Sequence, residues 1–271
     1  MVLSNSSVYL NLFIKNYYER EALQVDHQFL MYKACPIWER IVHLNRFGLI
    51  ANLLNVLNPV SLLDVGCAEG LYIRTFLKNS KSARYGVGVD IAKEYLLKAK
   101  NKNRSVQAEF VQVSATKLPF KDNVFNIALC SEVLEHVPNP KEALNELLRV
   151  AGSVVLSIPQ KSLFSKLFLA LRKFFFFNTE MNAFSQLLSG HINEINLSQI
   201  TSWIPGRVSL EMQVIGWHIF PFHTLQLVGI KLPEKLAIPF FLVDHQIYKL
   251  LLKISQSFFD NGCVLILTIK K

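Results

Sequence analysis

The stretch SLLDVGCAEGLYIRTFLK, residues 61–78, decides the fold of this chain. It begins with a short apolar run that contains Asp64, and a loop of small residues with two glycines follows. The remainder places Ile73, Phe76 and Leu77 on one face of a helix with 3.6 residues per turn. An apolar strand, a glycine-rich turn and a helix in this order indicate the opening unit of an α/β sheet.

The same alternation extends to residue 159. Further apolar runs rich in β-branched residues, YGVGV, EFVQV, VFNIALC and SVVLSI, are separated by segments with helical spacing. Continuous apolar strands between helices are typical of a parallel sheet that is covered on both faces. We therefore predict an α/β fold with a doubly wound, mostly parallel sheet.

One domain in four parts accounts for the 271 residues. The sequence contains no repeat and no low-complexity linker that would mark a boundary between domains. We expect an N-terminal helical cap at 1–58, the core at 59–159, a helical lid insert at 160–195, and the C-terminal part of the sheet with helices at 196–271.

Charge and cysteine spacing limit the partners and the compartment. The net charge of +9 favours an anionic partner such as a membrane surface, nucleic acid or an acidic substrate, although a basic solvated surface explains it as well. The four cysteines form no C-x-x-C pair, which indicates neither a disulfide framework nor a zinc site and fits a reducing compartment. The N-terminus lacks a signal-peptide pattern, and no stretch offers about 18 uncharged apolar residues. We expect a cytoplasmic protein, with peripheral attachment to a membrane as an open alternative.

The segment KSLFSKLFLALRKFFFFN, residues 161–178, is basic and rich in phenylalanine. Its Phe and Leu side chains share one helical face, and its four basic residues have no acid among them. Such a segment is either a lid on the protein's own core or an interfacial helix on a membrane. If it meets the similar segment at 220–242, the pocket is apolar and favours a lipid-like acceptor.

The glycine loop predicts a ligand site. Gly66 and Gly70 allow a tight turn and a close approach of the backbone to a ligand. The second strand ends at Asp90, where a carboxylate can accept both hydroxyls of a ribose. Two ligand classes stay open, a dinucleotide such as NAD and S-adenosylmethionine. The loop lacks the spacing G-x-G-x-x-G, and Glu69 would bring negative charge near a pyrophosphate, whereas a sulfonium with an amino-acid tail suits Asp64 and an acidic loop.

Four ordered segments resemble the class I S-adenosylmethionine-dependent methyltransferases, above all the group with quinone and small-molecule methyltransferases. These segments are LLDVGCAEG, GVGVDIA, AEFVQVSATKLPFKDNVFNIALCSEVLEHVPNPKEALNELLRV and SVVLSIP. The resemblance covers about residues 60–159 and continues weakly to the last strand. It implies a Rossmann-like sheet of seven strands, S-adenosylmethionine as the cofactor, and methyl transfer to a small or lipid-like hydroxyl, amine or carbon acceptor.

The resemblance also implies individual roles in binding the cofactor. Asp90 would hold the ribose hydroxyls, and Ile91 would pack on the adenine. The residues expected around the methionine part are Asp64, Gly66, Cys67, Ala68 and Gly70. Family members carry an acid that binds the adenine amino group where this chain has Ser114, so that Ser114 or the backbone of Ala115 must substitute. Two residues after the fourth strand would line the floor near the transferring methyl, Ser131 and Glu132.

Two histidines are candidates for a general base. If the acceptor is a hydroxyl, a base would add roughly 10²–10⁴-fold to the rate. His136 follows the fourth strand, and His191 matches a histidine that the family often has at that place; a structural role is the alternative for each. Glu132, Glu135 and His136 form E-x-x-E-H, whose spacing would place all three on one helical face. Certain related methyltransferases hold a divalent metal with this motif and many members with the same string hold none, so we expect no metal.

Other classes of function compete with methyl transfer. A catalytically silent methyltransferase-like module that docks on a membrane or a partner protein is the main alternative, because the acid is missing at Ser114. A nucleotide-dependent oxidoreductase is disfavoured by the loop glycines. Methylation of nucleic acid is disfavoured because no RNA-binding module and no Asn/Asp-Pro-Pro-aromatic motif is present.

Overall fold

A computed structural model describes residues 2–24, 26, 37–159, 192–206, 208–215, 233, 239, 242, 243, 246 and 264–271. The insert segment 161–178 and His191 lie outside these residues. The elements, in chain order, are α1 (Val2–Gln24), α2 (Ile37–Leu57), β1 (Ser61–Val65), α3 (Leu71–Asn79), β2 (Tyr85–Asp90), α4 (Lys93–Lys102), β3 (Ala108–Gln112), β4 (Phe125–Ser131), a 3₁₀ turn (Leu134–His136), α5 (Pro140–Val150), β5 (Ala151–Pro159), α6 (Leu197–Trp203), β6 (Ser209–Ile215) and β7 (Val264–Lys270).

The strands form one sheet of seven in the order β3-β2-β1-β4-β5-β7-β6. β1 is parallel to both of its neighbours, β2 and β4, while β7 is antiparallel to β5 and β6. The predicted doubly wound, mostly parallel seven-stranded sheet is therefore confirmed. The chain moves outward from β1 to β3 and then returns to the other side of β1, so β1 and β4 flank the topological switch point where ligands bind in such sheets.

Helices cover the two faces of the sheet and produce two apolar clusters. Every residue of β1 is buried, and its side chains alternate between the faces. Leu62 belongs to the cluster formed with α2, α3 and α4, and Leu63 belongs to the cluster formed with α5 and α6. The predicted apolar face of α3 is confirmed, since Ile73 and Phe76 are buried there.

Local signals set the start of two helices. The side chain of Asn139 accepts a hydrogen bond from the N–H of Glu142, and Pro140 occupies the first turn of α5. Asn196 and Gln199 form the reciprocal capping box of α6. In the part of the chain that the structure describes, we find no helix with the length and apolar character needed to span a membrane.

Candidate functional site

Two aspartates lie at the carboxyl ends of the neighbouring strands β1 and β2. Asp64 pairs in register with Gly88 of β2, two residues before Asp90. Both aspartates are buried, with 2% and 9% of their surfaces exposed. They are close enough for the charge of Asp90 to raise the pKa of Asp64, although burial is the larger cause. The two carboxylates are therefore near neighbours, and their roles in binding a cofactor stay predictions.

The loop after β1 folds back over the end of β2. The N–H groups of Gly66 and Cys67 both donate to the carbonyl of Val89, at 2.8 and 3.0 Å. The N–H of Ala68 donates to Oδ2 of Asp90 at 2.9 Å, and the N–H of Ala92 donates to Oδ1 at 2.9 Å. The loop and the residue Ala92 thus hold the Asp90 carboxylate in a fixed orientation at the carboxyl end of β2.

The two loop glycines are required by the protein's own packing. Gly66 and Gly70 have φ of 73° and 72°, in the left-handed region that favours glycine. A Cβ on Gly66 would collide with the side chain of Val133, and one on Gly70 would lie 2.7 Å from the ring of Phe110. The sequence predicts the tight turn correctly. The structure adds that neighbouring side chains, rather than a ligand, occupy the space that the missing Cβ atoms leave.

Asp90 keeps the capacity to bind a ligand. Burial raises its pKa to about 6, and the hydrogen bonds from the backbone N–H groups of Ala92 and Ala68 oppose that rise. Each carboxylate oxygen accepts one of these bonds and retains a further lone pair. The Asp90 side chain is therefore suited to accept hydrogen bonds from a pair of hydroxyls, as on a ribose.

Asp64 carries a buried oxygen that lacks a hydrogen-bond partner among the described residues. Burial, and then the charge of Asp90, raise its pKa to about 8. A buried unsatisfied carboxylate is costly, and a positive ligand group placed beside it would remove that cost. The orphaned oxygen thus fits the cationic amino-acid end of S-adenosylmethionine.

Glu69 does not contribute the negative charge that the sequence suggests for the loop. Its carboxylate is fully buried and lies 2.8 Å from Nζ of Lys102, which also contacts Asp26 at 2.7 Å. Because α4 supplies this cation, the charge of Glu69 is neutralised within the protein. Cys67 is likewise turned inward, into the cluster with α2 and α3.

The residues expected at the adenine end lie around the end of β3. Gln112 pairs in register with Asp90, and its side chain donates to the carbonyl of Ile91 at 2.8 Å. The hydroxyl of Ser114 lies 2.9 Å from that of Thr116 and forms a local turn. Ala115 packs against the cluster with α5 and α6. The contacts of Ile91, Ser114 and Ala115 with adenine stay predictions.

A polar chain forms the floor at the ends of β4 and β5. Oε1 of Glu132 accepts a hydrogen bond from the Ser157 hydroxyl at 3.0 Å, and the Ser157 hydroxyl lies 2.9 Å from that of Ser131. The Ser131 hydroxyl lies 3.4 Å from that of Tyr72. Oε2 of Glu132 lies 3.1 Å from Nη1 of Arg46, a buried residue of α2.

Sequence motifs do not identify Arg46, Tyr72 or Ser157 as residues of the site. Arg46 interrupts the otherwise apolar side of the helix HLNRFGLIANLL, and this interruption is the one local signal that it serves a buried partner. A buried guanidinium next to the floor is also a group that binds a carboxylate well.

The prediction that Glu132, Glu135 and His136 share one helical face is wrong. Glu132 has φ of 57°, in the left-handed region, so the chain turns sharply before the single 3₁₀ turn that contains the other two residues. Glu132 consequently points to Arg46, while Glu135 is almost fully buried. No group of three or more His, Cys, Asp or Glu side chains suited to hold a metal occurs within the described ranges.

His136 is placed beside a buried carboxyl group. Its Nε2 lies 3.8 Å from Oε1 of Glu135, and its ring meets the ring of Tyr18 edge to face with centroids 5.6 Å apart. Burial, and then the charge of Glu132, raise the pKa of Glu135. The carbonyl of Glu135 accepts hydrogen bonds from the N–H groups of Ile192 and Asn193. His191 itself lies outside the described residues, and its role stays a prediction.

Sequence comparisons place the core in a known family. Residues 63–153 match the family described as a methyltransferase domain. An uncharacterized methyltransferase of Mycobacterium leprae is 38% identical over 99 residues, which are 35% of this chain and 36% of that protein. A ubiquinone biosynthesis O-methyltransferase of Pseudoalteromonas translucida is 29% identical over 123 residues, or 43% of this chain and 51% of that protein. The chain thus spans about a third to a half of the curated relatives it matches.

Solved structures share the fold at low sequence identity. A magnesium protoporphyrin IX methyltransferase from Synechocystis PCC 6803, with bound SAH, has a TM-score of 0.64 and 11% identity, over 96% of this chain and 99% of that one. The cyclase SpnF has a TM-score of 0.54 and 18% identity, over 86% of this chain and 82% of that one. The family match and the strand order agree that residues 63–153 form a methyltransferase domain, within a sheet that has the fold of these solved structures.

Proposed function

We propose that this protein transfers the methyl group of S-adenosylmethionine to a small or lipid-like acceptor. The observation that carries the proposal is the pair of buried carboxylates, Asp64 and Asp90, at the ends of adjacent parallel strands beside a glycine loop. Asp64 offers an unsatisfied oxygen for a cationic group, and Asp90 offers lone pairs for two hydroxyls. These two features match the amino-acid and ribose ends of one ligand.

The chain's own residues contribute mainly by positioning. When bound, S-adenosylmethionine supplies a methyl group on a sulfonium, which is already a good leaving group. The protein then has to hold the acceptor in line with that methyl, and such orientation is worth several kcal/mol. Ser131 and Glu132 form the floor where the acceptor would be oriented, and Ser157 and Arg46 fix the Glu132 side chain.

A hydroxyl acceptor would need a base, and we propose His136 for that role. Its ring lies beside Glu135, whose side chain is buried, and both follow β4 at the switch-point edge of the sheet. The match to a ubiquinone biosynthesis O-methyltransferase supports an oxygen acceptor. His191 stays a second candidate from the sequence.

A lipid-like acceptor and a position at the membrane surface are further parts of the proposal. They are supported by the basic, Phe-rich sequence at 161–178 and by apolar side chains on the surface of α1, since Leu12 and Phe13 are 53% and 66% exposed. Flotation with anionic liposomes tests the membrane part. Equal flotation of wild type and a Lys166→Gln, Arg172→Gln, Lys173→Gln variant would contradict a role for the insert's charge.

The proposal is tested by calorimetry and by a transfer assay. Wild type should bind S-adenosylmethionine and its demethylated product, and Asp90→Ala should weaken both by at least about tenfold, because a hydrogen bond to a charged group contributes about 1.5–3 kcal/mol. A labelled-methyl screen on lipid extracts should then reveal the acceptor. If Asp90→Ala bound as tightly as wild type, the site would be misassigned.

One observation favours a second candidate, a silent module that binds a partner without transferring a methyl group. Ser114 stands where the family carries an acid, and its hydroxyl is already engaged with Thr116. Absence of S-adenosylmethionine binding by wild type would favour this candidate over the enzyme. Binding followed by turnover on any acceptor would eliminate it.

A further inference from the structure

Helix α1 is attached to the helix that follows Asp90. The carboxylate of Glu19 accepts hydrogen bonds from the N–H groups of Lys93 and Glu94, at 2.9 and 3.0 Å. These N–H groups belong to the first turn of α4, whose own N-cap residue, Ala92, provides no side-chain cap. A residue 74 positions away in sequence therefore caps the helix that follows Asp90.

Tyr18, one residue before Glu19 on α1, packs near both the glycine loop and the turn after β4. Tyr18 and the loop residue Ala68 both pack against a small apolar cluster of Ala22, Ala92 and Tyr95. On its other side the Tyr18 ring meets His136 edge to face, with centroids 5.6 Å apart. The ring thus spans from the loop and the residues after Asp90 to the turn that follows β4.

The Tyr18 hydroxyl is buried and has no hydrogen-bond partner among the residues that the structure describes. Burial is the main cause of its raised pKa, and the carboxylates of Glu21, Glu135 and Asp90 add to the rise, so the hydroxyl keeps its proton at neutral pH. A buried hydroxyl without a partner is costly, whereas the ring alone would pack as well in phenylalanine. The hydroxyl is therefore explained best by a partner that arrives with a ligand.

We propose that Tyr18 is a cofactor-binding residue whose hydroxyl donates a hydrogen bond to a ribose oxygen of the bound nucleoside. This inference rests on the proposed function. A ribose hydroxyl that donates to Asp90 still has lone pairs on its oxygen, and the Tyr18 hydroxyl is a donor that can use one of them. The N–H groups of Ala68 and Ala92 already hold Asp90, which places the ribose beside the cluster on which Tyr18 packs. Helix α1 is then one wall of the nucleoside site.

The test compares Tyr18→Phe with Tyr17→Phe as the matched control. Tyr17 is the adjacent tyrosine, its ring contacts Tyr18 at 5.1 Å, and phenylalanine preserves that contact. Calorimetry uses two probes, S-adenosylhomocysteine and 5′-methylthioadenosine, which share the ribose but differ in the amino-acid tail. We expect Tyr18→Phe to weaken both probes by about 3- to 10-fold, equally for the two, as the loss of one neutral hydrogen bond predicts. Tyr17→Phe should bind both as wild type does.

Thermal unfolding of the ligand-free variants separates binding from folding. Because the Tyr18 hydroxyl has no partner within the described structure, Tyr18→Phe should melt at or above the wild-type temperature. Unchanged affinity of Tyr18→Phe for both probes would overturn the inference. An equal loss of affinity in Tyr17→Phe would do the same, as would an effect of Tyr18→Phe that is confined to the KM of the acceptor. Failure of wild type to bind either probe would instead overturn the proposed function on which the inference rests.

Discussion

The guanidinium of Arg46 in α2 lies 3.1 Å from the carboxylate of Glu132, the residue after β4. Glu132 has a left-handed backbone, which costs a non-glycine residue roughly 1–2 kcal/mol. The Glu132 side chain also accepts a hydrogen bond from the Ser157 hydroxyl at 3.0 Å, and the backbone N–H of Glu132 donates to the carbonyl of Ser157. The ion pair thus ties the helix before the sheet to the strained residue at the floor of the site.

Replacing Arg46 by methionine should destabilise the protein by about 3–5 kcal/mol, because Glu132 would lose its cation in a largely dry site. Urea unfolding measures the change. Glu132→Gln should lower the free energy of unfolding by less. The loss in the double variant should be smaller than the sum of the two single losses, by about 0.5–3 kcal/mol. Additive single changes would show that the pair contributes no coupling.

Affinity for S-adenosylmethionine should rise with pH between about 6.5 and 8. The pKa of Asp64 in the free protein is about 8, so below that pH a cationic ligand must displace a proton to bind beside the carboxylate. The affinity should therefore fall by up to roughly tenfold per pH unit below 8 and level off above it. Calorimetry across this range, with 5′-methylthioadenosine as an uncharged comparison that should show a flatter profile, measures the effect.

The control for that experiment is Asp64→Asn. Because burial raises the Asp64 pKa from 3.8 to about 8, the folded state binds a proton that the unfolded state releases. The stabilisation from that proton is complete below the pKa of Asp64 in the unfolded state, and it is lost as the pH rises to about 8. Asp64→Asn should bind S-adenosylmethionine more weakly than wild type. Its affinity and its free energy of unfolding should both change less with pH. A wild-type free energy of unfolding that did not fall from pH 5 to 8 relative to Asp64→Asn would contradict the assignment.

Alanine at Gly66 or Gly70 should destabilise the fold by about 2–5 kcal/mol, combining left-handed strain with overpacking against Val133 or Phe110. Chemical denaturation of the ligand-free protein measures this. Gly48→Ala is the control, because it lies inside α2 with no atom within 4 Å of the added Cβ. That variant should be more stable by about 0.5–1 kcal/mol. Equal stability of all three variants would refute the steric argument.

Replacing His136 by glutamine should lower kcat by about 10²–10⁴-fold on a hydroxyl acceptor, since a general base would be removed. Affinity for S-adenosylhomocysteine should stay within about twofold, because the proposed role of His136 is toward the acceptor and not toward the cofactor. Steady-state kinetics and calorimetry on the same preparation separate the two effects. Retention of full kcat by this variant would exclude His136 as the base.

Local patterns in the sequence are sufficient to predict the strands, several helices and the position of Asp90 at the end of a strand. The strand–loop–helix stretch at 61–78 and the apolar runs up to residue 159 predict the parallel core because strand and helix periodicity are properties of neighbouring residues. The same periodicity misleads at Glu132, Glu135 and His136. There the end of β4 and a left-handed residue interrupt the helix on which the spacing argument depends.

The sequence alone determined that this chain forms a doubly wound sheet with a glycine loop and an aspartate at the ends of its first two strands. Only the tertiary structure decided which charges are neutralised. Lys102 pairs with Glu69, Arg46 pairs with Glu132, and one oxygen of Asp64 has no partner within the described residues. These outcomes depend on how helices distant in sequence pack on the sheet. Such packing is set by the sum of many apolar contacts and leaves little trace in the residues beside each charge.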